Sequence, residues 1–94
     1  MKKEKVESLE AARSQIDVID DALIDLIATR QFYVDQVIGF KRKSEDVKSP
    51  RIEEVIEKVR TRASEQGLDP DLIENIYREM IQHFIRRELK EIRP

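Results

Sequence analysis

Apolar residues recur along the first forty positions at helical spacing. Leu9, Ala12, Ile16, Ile19, Leu23, Leu26, Arg30, Tyr33, Val37 and Phe40 follow one another at alternating steps of 3 and 4. That alternation is a heptad seam, in which Arg30 takes one place. It predicts a single helix over about 5–42. A second, weaker stripe of Ile52, Val55, Ile56, Val59 and Ala63 predicts a helix over about 50–65. A third, made of Ile73, Ile76, Tyr77, Met80, Ile81, Phe84, Ile85, Leu89 and Ile92, predicts a helix over about 70–92.

The punctuation between these stripes agrees with them. Ser49-Pro50 and Asp69-Pro70 each read as an N-cap followed by proline at the first helical position. Leu68 and Ile73 flank the second of these starts at hydrophobic-staple spacing. Gly67 reads as the stop of the middle helix, and residues 43–49 read as a polar loop. No stretch alternates as a strand would. The expected fold is all-α, with three helices per chain, one of them very long, in a single domain over residues 1–94.

The long helix sets a packing problem. At 1.5 Å per residue it would extend roughly 57 Å, whereas a compact chain of this size is only about 30 Å across. One chain cannot cover such a seam along its whole length. An intertwined homodimer is therefore expected.

Composition then narrows the function classes. The chain has 94 residues, with 18 Lys and Arg against 20 Asp and Glu, and a net charge of -2. Phosphate neutralisation needs a basic excess, so no nucleic-acid partner is expected. No apolar run approaches the roughly 20 residues of a membrane helix, and no signal-peptide core follows the basic N-terminus. A cytoplasmic protein without a membrane partner is expected. There are no cysteines, and His83 is the single histidine, which excludes thiolate chemistry and multi-histidine zinc sites. His83 lies off the apolar stripe and reads as a surface residue. Ser44, Ser49 and Ser64 have no base partner at useful spacing, and Tyr33, Phe40 and Phe84 read as core.

Candidate chemistry lies where the pattern breaks. Arg30 holds a seam position, Arg13 shares a stripe with Val6, Leu9 and Ile16, and Lys41 continues the flank of Ile27, Val34 and Ile38. Glu88 continues the apolar face of the third helix, and Arg51 stands at the positive end of the second. Each cation alone can snorkel to water, and a seam arginine can set register. Together, four cations and one carboxylate on inward faces call for a charged partner. A small dianionic ligand would balance them. Arg30 and Lys41 lie roughly 16 Å apart along the helix axis, within bridging reach of two long side chains. Arg13 lies roughly 25 Å from Arg30, too far for one small ligand unless an antiparallel second chain supplies it.

These residues, in this order, resemble the all-helical chorismate mutases and their relatives the isochorismate-pyruvate lyases over about residues 7–92. The resemblance is carried by Arg13 with Ile16-Asp17 and Ile19-Asp20, then Arg30, Phe40-Lys41, Pro50-Arg51, Gly67-Leu68-Asp69 and the helix from Met80 to Leu89. It implies a homodimer with two shared sites. In each site Arg30, Arg51 and the partner chain's Arg13 hold two substrate carboxylates, and Lys41 donates to the ether oxygen. Glu88 falls where many members donate a second hydrogen bond, and Val37, Ile52, Ile81 and Phe84 would line the pocket. The implied reaction is the pericyclic rearrangement of chorismate to prephenate, which needs no metal and no cofactor. It belongs to the shikimate pathway of aromatic amino acid biosynthesis.

Two positions depart from the mutase pattern. Ile52 stands where mutases commonly carry a glutamate that accepts from the ring hydroxyl, and Phe84 replaces a small polar residue. Both resemble the lyase branch, whose substrate lacks that hydroxyl. The alternatives are thus an isochorismate-pyruvate lyase, then a mutase of the 4-amino analogue, then a non-catalytic helical dimerisation or regulatory module.

Overall fold

The computed structural model describes residues 2–44 and 51–92, with the side chains of 41–44, 88–89 and 91–92 outside that description. Its elements are α1 (Leu9–Ser44), α2 (Ile52–Glu65) and α3 (Pro70–Ile92), and among the described residues there is no strand. The all-helical, three-helix expectation holds. The chain divides into two compact units, residues 1–35 and 36–94.

The first unit is built on α1. Its start is fixed by Ser8, whose Oγ accepts from the Ala11 N–H at 3.1 Å while its carbonyl accepts from Ala12 N–H at 3.1 Å. Such a cap satisfies a donor that a helix end leaves orphaned. The helix therefore begins at Leu9, the first seam position, rather than near residue 5. Along it the seam lies open: Leu9 is 65% exposed and Leu26 66%, with Ile16, Ile19 and Leu23 also exposed. Tyr33, expected in the core, is exposed as well and stands edge-on to Phe32, ring centroids 5.2 Å apart.

The second unit contains the last turns of α1 together with α2 and α3. The turn between α2 and α3 closes as a Schellman motif. Gly67 adopts φ +75°, Leu68 N–H reaches the Ala63 carbonyl at 2.8 Å, and Gly67 N–H reaches that of Ser64 at 3.1 Å. This left-handed position suits a residue without Cβ. Asp69 then caps α3, its Oδ1 accepting from Asp71 N–H at 2.9 Å. The gap between the two helices is short, so they run antiparallel. Arg60 accordingly meets Asp71 and Glu74, while Arg78 returns to Glu53.

Apolar burial concentrates on this hairpin. Ile56 and Ala63, two turns apart on α2, are buried, as are Phe84 on α3 and Ile38 on α1. Ile52, Val55, Val59, Ile73, Tyr77, Met80 and Ile81 are half-buried around them. Phe84 is thus core as expected, whereas Phe40, expected to join it, is 69% exposed. An aromatic on a seam is covered only where another helix lies over it. His83 is on the surface, edge-on to the Phe84 ring at 5.7 Å. Among the described residues no helix is long and apolar enough to cross a membrane.

The start of α2 differs from the sequence reading. The described helix begins at Ile52, with Arg51 in the N-cap position and no side-chain cap. The expected Ser49-Pro50 cap lies outside the described residues.

Candidate functional site

The antiparallel hairpin brings the first turn of α2 beside the middle of α3. Between them lies a cavity of about 340 Å³ lined by Ile52, Glu53, Arg78, Ile81, Gln82 and Ile85. The helical repeat explains the lining. Ile81 and Ile85 are one turn apart on α3, Arg78 and Gln82 form the adjacent row, and Ile52 faces them from α2. Three isoleucines make an apolar wall and the remaining groups a polar rim, in a volume at the small end of small-molecule sites.

The rim is organised by ion pairs. Arg78 donates through Nη1 and Nη2 to Glu53 Oε1 at 3.3 Å each, and through Nη2 to Glu53 Oε2 at 3.2 Å. Its Nε donates to Glu74 Oε2 at 2.7 Å. Glu74 Oε1 in turn accepts from Arg60 Nη1 at 2.7 Å, and the same nitrogen reaches Asp71 Oδ1 at 2.9 Å. The hydrogen bond from Arg78 chiefly holds the Glu74 carboxyl below its usual range, with Arg60 adding to it and partial burial opposing. Reciprocally, the bonds to Glu74 and then Glu53 push the Arg78 guanidinium up, and those to Asp71 and then Glu74 push up Arg60.

The residues singled out from the sequence are distributed as follows. Ile52 and Ile81 come together in the cavity wall. Arg51 precedes Ile52 in the chain, is exposed, and has its Nε 3.8 Å from Glu54 Oε2. Between two exposed side chains that contact is a weak competitor for a ligand carboxylate. Phe84 is buried in the second unit and Val37 is exposed there. Arg13, exposed, and Arg30, half-buried, belong to the first unit. The side chains of Lys41 and Glu88 lie outside the described residues.

Glu53, Arg78, Gln82 and Ile85 were not among the sequence candidates. Position 53 lies 25 residues from position 78, so no local pattern links them. A signal was present in the turn. A hairpin folding at Gly67 and Asp69 places 60 opposite 71–74 and 53 opposite 78, where acids and arginines alternate across the two helices.

Comparison with curated proteins and with solved structures returned no match to this chain. Against protein families, residues 12–89 match the family described as chorismate mutase type II. That stretch opens in the first turn of α1, closes near the end of α3, and takes in every candidate from Arg13 to Glu88. On a match of that extent, reached on three helices in the expected order, the chain belongs to the chorismate mutase type II family.

Proposed function

We propose that the protein is a chorismate mutase that works as an intertwined homodimer, converting chorismate to prephenate in two sites shared between the chains. The observation that carries this reading is the extent of the family match, since residues 12–89 include all the charged candidates at once. The exposed seam of α1 supports the dimer: large apolar side chains at heptad spacing lie open to water in the single chain. An antiparallel second copy would cover them and bring Arg13 of the partner subunit toward Arg30.

The chemistry asks little of a protein beyond binding and charge. The rearrangement is unimolecular, so the site must hold the substrate in its compact conformer and stabilise negative charge growing on the ether oxygen. Arg30, Arg51 and the partner's Arg13 take the two carboxylates, for which a planar guanidinium fork is suited. Lys41 supplies a positive point charge at the ether oxygen, and Glu88, when protonated, a second donor. The apolar wall of Ile52 and Ile81 packs the ring.

One observation favours a second reading. Ile52 shares its wall with Ile81 and Ile85, so position 52 offers a ring hydroxyl no acceptor, while the Glu53 carboxylate on the rim is taken up by Arg78. A lyase acting on isochorismate would lose nothing by this. The deciding experiment gives purified protein chorismate and isochorismate separately and resolves the products. Faster formation of prephenate from chorismate supports the mutase. Salicylate and pyruvate from isochorismate, with little prephenate, replaces it with the lyase. Inactivity toward both moves the reading to the 4-amino analogue and then to a non-catalytic dimer.

A further inference from the structure

The first turn of α2 is held in an unusual way. Arg51 occupies the N-cap position with no side-chain cap, and a guanidinium at the positive end of a helix is electrostatically unfavourable. Helix starts are ordinarily fixed by a Ser, Thr, Asp or Asn oxygen on the orphan N–H groups. Among the described residues, this start is held by the Val55 N–H bond to the Arg51 carbonyl at 2.9 Å, the half-burial of Ile52, and the grip of Arg78 on Glu53. Among the described residues, Arg78 provides the polar link from this turn to α3.

The link is built to fix geometry. Arg78 spends both terminal nitrogens on Glu53 and its Nε on Glu74. Glu74 is itself held from the far side by Arg60. A planar guanidinium bonded along two edges has little freedom to swing. Glu53 is thereby fastened to the middle of α3, and the two residues before it, Ile52 and Arg51, move with it. The Glu53 carboxylate is 79% exposed, so the pair adds little to global stability. Its effect falls on where the turn sits.

We propose that Arg78, acting through Glu53, is a positioning residue for Arg51: it anchors the uncapped first turn of α2 on α3 and sets how far Arg51 stands from the cavity wall of Ile81 and Ile85. The role rests on the functional reading above, in which Arg51 holds a substrate carboxylate. Loosening the turn weakens that hold in ground state and transition state alike, so the loss appears in KM more than in kcat.

The test is a kinetic cycle on the full-length protein. Arg78→Gln and Glu53→Gln are each made alone and together with Arg51→Ala, with thermal melts alongside. Each single variant is expected to raise KM roughly 5- to 10-fold with kcat within about twofold and little change in melting temperature. In the Arg51→Ala background the same changes should cost less than about twofold. Should Arg78→Gln fail to fold, Glu53→Gln, at an exposed carboxylate, carries the cycle. Losses that multiply in the Arg51→Ala background, or a KM that does not move, overturn the positioning role while leaving the activity in place. A wild-type protein inactive toward chorismate, isochorismate and the 4-amino analogue overturns the functional reading and this role with it.

Discussion

Arg60 and Glu74 meet across the α2–α3 hairpin, Nη1 donating to Oε1 at 2.7 Å, while the other Glu74 oxygen takes Arg78 Nε at the same distance. Two guanidiniums on one carboxylate, Arg78 the stronger, hold it below the ordinary carboxyl range. A folded-state pKa held below the ordinary 4.5 stabilises the fold at pH values above 4.5, and that stabilisation is lost as pH falls through the folded value. The melting temperature should therefore be flat from neutrality to mild acid and decline below about pH 4.5. Glu74→Gln should melt lower at pH 7 and decline less steeply in acid. Parallel acid limbs for the two proteins would assign the decline to other carboxylates.

The two glycines should respond in opposite directions. At Gly67, with φ +75°, an added Cβ meets nothing within 4 Å, so Gly67→Ala suffers from backbone strain alone, about 1–2 kcal/mol. Gly39 lies inside α1 with equally open surroundings. There alanine should stabilise by roughly 0.5–1 kcal/mol, because glycine loses more freedom on entering a helix. In a chain of this size each kcal/mol shifts the melting temperature by about 4–8 °C. Calorimetry on both variants separates the effects, and a stabilised Gly67→Ala would mean the turn is not left-handed in solution.

The fold was legible where local chemistry and periodicity agreed. Asp69-Pro70 opens α3 and Gly67 closes α2 as their residue types require. The stripes on α2 and α3 hold the buried Ile56, Ala63 and Phe84, as their spacing predicts. The site was less legible for two physical reasons. Lining residues such as Arg78 and Gln82 sit one row off the apolar stripe, so periodicity marks them as surface. Glu53, the partner of Arg78, is reached only through the tertiary turn. The start of α1 at Leu9, rather than near residue 5, is fixed by the Ser8 hydroxyl, a cap that the spacing of apolar residues does not mark.

If the open seam of α1 is a dimer interface, two seam substitutions should separate assembly from activity. Leu26→Glu places a charge where a leucine would be covered in both chains. At about 1.5 kcal/mol or more per lost leucine contact, the dimer should weaken by at least 100-fold. Arg30→Leu completes the seam instead, so the dimer should hold as well or better while activity falls about 100-fold for want of a carboxylate partner. Sedimentation across a concentration series and product assays read the two effects. An Arg30→Leu protein with full activity would take Arg30 out of the site and leave it a seam residue alone.

Glu88 gives the sharpest pH argument. A carboxylate accepts hydrogen bonds only, and beside an ether oxygen gathering negative charge it would repel; the protonated acid has the O–H that helps. A role as donor requires kcat/KM to fall as pH rises and the acid ionises. Glutamine donates at every pH, so Glu88→Gln should flatten the profile and overtake the wild type at the alkaline end. Only position 88 differs between the two proteins, so the difference between their profiles belongs to it. Identical declines in the two proteins would remove Glu88 from the reaction and leave Lys41 as the donor at the ether oxygen.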